Sequence, residues 1–212
     1  MRHCASAGRH DMSPEAHARN PAAINAVNEV FHLYDPPLWL VTARDGARRG
    51  GFIATAATRA SIVHEIPRML VAVAKHHHTW RLIEASGSFA LHLLAADDIA
   101  GVRRFGLASG HQVDKFADLP SRETPAGSPL IEGTMSWLDC RVESRMDIGD
   151  RTTYLAEVTA GAVLRRGPIL TVAGLLRDAP EADRAELKRL YAQDQETDRA
   201  AILAWRRSRG DT

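Results

Sequence analysis

Leu38-Trp39-Leu40-Val41-Thr42, Arg44-Asp45-Gly46-Ala47 and Gly50-Gly51-Phe52-Ile53-Ala54-Thr55 follow one another almost without a gap, and their reading decides the fold. An apolar run, a turn signal and a second apolar run predict a β-hairpin. Working outward, Arg68-Met69-Leu70-Val71-Ala72-Val73-Ala74 is a continuous apolar run after a proline, which predicts a buried strand. Thr79 is expected to cap a short helix that carries Trp80, Leu82 and Ile83 and ends near Ser86-Gly87. Phe89 to Leu94 reads as a further strand, and Asp97-Asp98 as the cap of a helix through Phe105. Gly110, Pro120, Pro125, Gly127 and Pro129 mark a loop. Trp137 to Glu143 alternates apolar and polar with period two, Asp147-Ile148-Gly149-Asp150 turns the chain, and Thr152 to Val158 returns. Most connections are too short to hold the crossover helices of a parallel doubly wound sheet, so a closed or nearly closed β-barrel is expected.

Helices flank this region. Asn20 and Pro21 start a stripe of Ile24, Val27, Val30, Phe31 and Tyr34, which Asp35-Pro36-Pro37 ends. From Ala182 to Ser208, Leu187, Leu190, Tyr191, Ile202, Leu203 and Trp205 recur among charges, as one long helix or two. The expected organisation is a disordered tail over residues 1–20, a domain over 21–178 and a C-terminal helical extension over 179–212.

The composition narrows the function. Twenty-seven Lys and Arg against 26 Asp and Glu leave a net charge of +1, which argues against a nucleic-acid partner held by a broad basic surface. The longest apolar run, Met69 to Ala74, is far too short to span a bilayer, and no secretory signal opens the chain. Cys4 and Cys140 read as free thiols of a reducing compartment, so a cytoplasmic location is expected. No glycine-rich dinucleotide turn, phosphate loop, Cys-x-x-Cys or nucleophile elbow occurs, and any chemistry is therefore expected to belong to a bound cofactor.

Three segments in order resemble the flavin reductase-like, FMN-binding split-barrel family. The first is Val41-Thr42 with Asp45-Gly46 and then Gly51 to Ser61. The second is Leu70 to Thr79 with Leu82-Ile83 and Ser86-Gly87-Ser88-Phe89-Ala90-Leu91-His92-Leu93-Leu94. The third is Asp114-Lys115-Phe116, then Leu138 to Val142 and Gly149 to Val158. The resemblance spans roughly residues 35–162. It implies a mainly β fold with peripheral helices: a split β-barrel of Greek-key type with an N-terminal helix and a C-terminal helical segment. It also implies FMN, or FAD in its place, lying against Thr55, Ala56, Thr58 and Ser61, with its phosphate near Lys75, His77 and Thr79. NAD(P)H would donate the hydride, a homodimer would build the site from both subunits, and a partner monooxygenase or another acceptor would take the electrons.

The residues fit those expectations in their own right. Small and hydroxyl side chains let a backbone approach a flat ring, and a phosphate needs donors and positive charge. The plain alternatives are strand threonines at 55 and 58 and a solvated loop at 75–77; Asp114-Lys115-Phe116 reads as structural, with Phe116 a packing anchor. Many family members carry Gly-Asp-His where this chain has Gly149-Asp150-Arg151, and that histidine is associated with the nicotinamide substrate. Arg151 is then a candidate ligand for an anionic substrate group, although it stays charged. The departure motivates a second reading, a flavin- or haem-binding split barrel that is non-enzymatic or independent of NAD(P)H. A metal site on His76, His77 and His78 is a third reading, disfavoured because neighbouring residues of a strand point to opposite faces.

Overall fold

A computed structural model describes residues 20–120 and 122–210. The tail expected over 1–20, with Cys4, lies outside them apart from Asn20. The described chain falls into two compact units divided between Tyr34 and Asp35. In the first, Asn20 accepts from the Ala22 N–H at 3.0 Å and opens helix α1 (Pro21–His32), with proline in its first turn.

The second unit is built on a seven-stranded antiparallel sheet. Its strands are β1 (Trp39–Asp45), β2 (Arg48–Ala54), β3 (Ala57–Arg59), β4 (Arg68–Ala74), β5 (Ser88–Leu93), β8 (Ser136–Asp147) and β9 (Arg151–Val163). A separate two-stranded ribbon pairs β6 (Arg122–Glu123) with β7 (Pro129–Leu130). The sheet order is β2-β1-β5-β8-β9-β4-β3, so β2 and β3 are its opposite edges, yet only Thr55 and Ala56 separate them in the chain. A flat sheet of this width would hold its edges about 29 Å apart at 4.8 Å per strand. Three Cα steps from Ala54 to Ala57 reach about 11 Å at most. The sheet therefore curls until its edges face each other, giving a half-barrel. Register shifts between Asp139 and Cys140 and between Val142 and Ser144 add twist to the long β8–β9 hairpin.

Alternation in the strands divides the core. Val41 and Ala43 of β1 face inward with Phe52, Val71, Val73, Phe89, Leu91 and Tyr154. Leu38 and Leu40 face outward, packing with Val102, Phe105, Phe116, Leu170 and Leu175. That outer layer includes α3 (Ile99–Gly106) and α4 (Val172–Asp178). Asp98 caps α3 by accepting from Gly101 N–H at 2.9 Å, as its sequence predicts.

Two details depart from the sequence expectations, and one open alternative is resolved. Helix α2 (His78–Ser86) starts before Thr79, with His77 at the N-cap position, because the Thr79 side chain is turned inward and buried against β2. The region expected as a loop holds the β6–β7 ribbon. Buried Asp139 fixes that segment by accepting from Thr124 Oγ1 and Ala126 N–H, both at 2.7 Å. After Pro180 the chain forms a single helix, α5 (Glu181–Ser208). No helix among the described residues is long and apolar enough to cross a membrane.

The helices approach β2 closely at two adjacent glycines. A Cβ on Gly50 would lie 2.8 Å from Leu82 Cδ1 and Thr79 Oγ1, and one on Gly51 would lie 2.9 Å from Phe105 Cδ1. Gly51→Ala must displace the buried Phe105 ring, which packs edge-on against Phe116. The expected cost is about 1–3 kcal/mol of unfolding free energy, read as a lower urea midpoint with an unchanged slope.

Candidate functional site

The residues singled out from the sequence fall into two groups, one along β3 and its flanks and the other at the β4–α2 turn. Thr55 and Ala56 form the link between the edges and are exposed, Thr58 is exposed on β3, and Ser61 follows it. Ser61 Oγ accepts from Val63 N–H at 3.0 Å, and the Arg59 guanidinium folds back onto the Ser61 carbonyl. Strand β3 has β4 as its single strand neighbour. Ala56 O accepts from Ala72 N–H, and Ala60 N–H donates to Arg68 O. In an antiparallel ladder those bonds alternate, so the N–H and C=O of Ala57 and Arg59 face the free edge.

The second group sits at the β4–α2 turn. Ala56 lies beside Ala72, and Lys75 is three residues further along, roughly 10 Å of strand. Lys75 turns toward the β8–β9 end: its N–H donates to Asp150 O at 2.9 Å and its Nζ to Asp147 Oδ1 at 2.6 Å. His77 stacks on Phe52, ring centroids 4.7 Å apart, and its ring also lies 4.6 Å from that of His76. This withdrawal from water, helped by the positive groups around it, pushes its pKa down to about 3, so the ring is neutral. Thr79 is buried with its hydroxyl close to Gly50. Among the predicted phosphate residues, then, Lys75 already has a carboxylate partner, while the backbone at the start of α2 is open. His77 makes no side-chain capping bond and the first turn carries no acid. The N–H groups of His78 and Thr79 are consequently without helical acceptors.

The start of α2 opens on a cavity of about 210 Å³ walled by residues 76–79, 105–111, Gly51, Lys115 and, from α5, Leu190, Gln193 and Asp194. Lys115 is 8% exposed and donates from Nζ to Gly51 O at 3.0 Å and Phe105 O at 2.7 Å. Burial pushes its pKa down to about 8. Its neighbour Phe116 is the packing anchor expected from sequence, whereas the place of Lys115 in the cavity was not legible there. The signal in hindsight is a lysine between the helix-ending glycines and a core phenylalanine. His78 and His111 rings meet edge-on at 5.3 Å, and His111 Nε2 lies 3.1 Å from His76 O.

Arg151 lies on the far side of His76 and is engaged by α5. Its guanidinium contacts Asp150 Oδ2 at 3.1 Å and Asp198 Oδ2 at 2.6 Å. His76 stands between Asp194, at 3.3 Å, and Asp198, at 3.4 Å. Burial raises the Asp198 carboxyl above its ordinary value, against the opposing pull of Arg151.

No side chain here is set up as a nucleophile. Buried Cys140 has its thiol pushed up to about 12, and no group of three His, Cys, Asp or Glu among the described residues is arranged to hold a metal ion. What the site offers is an open backbone edge, hydroxyls and a donor-rich cavity, which suit binding and orientation.

Comparison with known proteins bears on what is bound. The model of the flavin reductase like domain matches residues 31–174. High molecular weight rubredoxin of Moorella thermoacetica is 29% identical over 147 residues, 68% of this chain and 63% of that protein. The flavin-dependent monooxygenase reductase subunit HsaB of Mycobacterium tuberculosis is 37% identical over 99 residues, 47% of this chain and 51% of that protein. The chain thus spans between half and two thirds of the length of these two relatives. In fold it is similar to the NADH:FAD oxidoreductase SgcE6 of Streptomyces globisporus, with a TM-score of 0.61 at 24% identity, over 72% of this chain and 91% of that one.

Buried neutral histidines make stability depend on pH. His77 is held down to about 3 and His92 to about 4, in both cases chiefly by burial. The unfolded chain takes up these protons near the ordinary value of 6.5, so their contribution is fully present above 6.5 and is lost as pH falls toward the folded values. Urea unfolding is expected to weaken between pH 6.5 and 4 by up to about 1.4 kcal/mol per pH unit for each histidine, and His77→Gln is expected to flatten that slope.

Proposed function

The chain belongs to the flavin reductase like domain family, and from that premise we propose that it is a flavin-dependent oxidoreductase of the flavin reductase type, accepting hydride from NAD(P)H on bound FMN or FAD. The observation that carries this reading is the free edge of β3. The outward N–H and C=O groups of Ala57 and Arg59 supply both donors and acceptors, and the hydroxyls of Thr55 and Thr58 flank them. That set is complementary to the polar rim of a flavin ring, and the small side chains of Ala56 and Ala57 leave room for close approach. Roughly 10 Å along β4 lies the uncapped start of α2, a donor site for an anion. The residues present therefore fit a flavin, with Thr55, Ala56, Thr58 and Ser61 toward the ring and His77 and Thr79 at the loop toward its phosphate.

Flavin, when bound, supplies the hydride-accepting chemistry. The chain's own residues orient it through the β3 edge. The HsaB subunits are reductase components of flavin-dependent monooxygenases, which supports a monooxygenase or other acceptor as partner. Ile62, 88% exposed, with Val63, Ile66 and Leu70 forms an apolar strip beside the same edge, which supports a homodimer that covers it. One observation favours the second reading, a flavin-binding protein without NAD(P)H turnover. Nε and Nη2 of Arg151 are already paired with Asp150 and Asp198, and these carboxylates compete with an anionic substrate for it.

Proline is tolerated where a strand N–H faces away from the ladder. Ala57→Pro is expected to preserve the sheet, read by circular dichroism, and to weaken FMN binding about tenfold in a fluorescence titration. Wild-type protein that fails to bind FMN at micromolar concentration would contradict the proposal.

A further inference from the structure

We infer that α5 is a strap across the cavity at the start of α2, latched on His76, and that a proton taken up by His76 tightens the strap and slows exchange of the molecule bound there. The inference rests on the flavin reading only for what is exchanged, because both halves of the latch belong to this chain.

Helix α5 is thinly seated for its length. Among its 28 residues the one buried residue is Asp198. The stripe it turns inward, Leu187, Leu190, Asp194, Asp198, Ile202 and Trp205, keeps helical spacing but carries two acids where apolar side chains would pack. Near its start Arg103 pairs with Asp183 at 2.8 Å, and Leu187 packs on the outer core. Toward its end Ile202 and Trp205 rest on Gly149, where a Cβ would lie 3.0 Å from Trp205 Cβ. Between these contacts, beside the cavity wall of Leu190, Gln193 and Asp194, the helix is held by charge. A segment with few buried apolar contacts opens at less than the global cost of unfolding.

The latch is a histidine between two acceptors. His76 Nε2 lies 3.3 Å from Asp194 Oδ1, and Nδ1 lies 3.4 Å from Asp198 Oδ1. A neutral imidazole has one N–H and one lone pair, so one nitrogen turns a lone pair toward a carboxylate oxygen. Accordingly His76 Nε2 and Asp198 Oδ1 are buried without a hydrogen-bond partner among the described residues. The imidazolium can donate to both acids at once. It also offsets the surplus of Asp150, Asp194 and Asp198 over the guanidinium of Arg151. Histidine is the side chain whose charge changes between about pH 5 and 8. Both acids belong to α5, so the gain exists only while the helix is docked, and proton uptake favours docking. Burial raises the Asp198 carboxyl in the docked helix, which acts in the same direction. The other titratable groups around His76 are His77, whose ring lies 4.6 Å away, His111, whose Nε2 lies 3.1 Å from His76 O, and Lys115 across the cavity. His77, pushed down to about 3, stays neutral, whereas Lys115, pushed down to about 8, gains charge over the same range.

The test is hydrogen exchange of the full chain without flavin, followed over residues 187–205 and corrected for the chemical dependence of exchange on pH. From about pH 8 to about pH 6, protection is expected to rise about tenfold in the wild type and about threefold in Asp194→Asn, and to stay level in His76→Gln. His76→Gln retains Lys115 and His111 and so separates their titration from that of His76. Asp194→Asn keeps one acceptor and alters a partly exposed helix position, so it answers even if His76→Gln folds poorly. In a second arm, FMN release after dilution is followed by fluorescence. Over the same range it is expected to slow by a similar factor in the wild type relative to His76→Gln, a ratio from which the titration of the FMN phosphate cancels.

Level protection in the wild type, protection that falls toward pH 6, or an equal rise in the wild type and either variant overturns the latch. The predicted exchange pattern with FMN release equal in wild type and His76→Gln overturns the strap. The predicted exchange pattern without any flavin binding upholds the latch and removes the flavin reading, and flavin binding with level protection does the reverse.

Discussion

The two-residue link between β2 and β3 is the constraint on which the rest of the molecule depends. Because Thr55 and Ala56 are all that joins the two edges of a seven-stranded sheet, the sheet cannot stay open and flat. Its curl encloses the core of Val41, Phe52, Val71, Phe89 and Tyr154. The same link leaves β3 as a three-residue edge strand with its outer backbone groups free. The feature that shapes the barrel is thus also the one that leaves a backbone edge free, at a point where small side chains stand beside it.

A second constraint brings the helices in. Gly50 and Gly51 let Leu82, Thr79 and Phe105 sit directly on the β2 backbone, which fixes the start of α2 and the 105–116 segment side by side. Lys115 joins the two by donating to both Gly51 and Phe105. Helix α5 lies beyond the residues that the family model matches, and its Asp194 and Asp198 reach His76 and Arg151. It forms one wall of the cavity and pairs with the arginine, so residues outside the matched segment contribute to this region.

Much of the fold was legible because strand periodicity and turn chemistry are local signals. The hairpin from Leu38 to Thr55, the buried run at 68–74, the Asp98 cap and the turn at Asp147 to Asp150 all rest on neighbours in sequence. The start of α2 was misread at Thr79 because burial against β2, a tertiary contact, claims that side chain. The ribbon at 122–130 escaped because Asp139, far along the chain, pins it. The site was legible as two clusters of residue types. The partners that alter their roles were not: Asp147 on Lys75, Asp198 on Arg151 and two backbone carbonyls on Lys115 are all distant in sequence, and ion-pair partners leave no periodic trace.

The central claim is that this half-barrel holds a flavin and passes it hydride from a nicotinamide. The most direct measurement is the absorption spectrum of the purified protein with FMN, recorded anaerobically before and after adding NADH or NADPH. The account predicts a perturbed flavin spectrum on binding, followed by bleaching of the visible flavin bands at a rate that depends on the protein. An unperturbed spectrum, or a bound flavin that neither nicotinamide reduces, would contradict it.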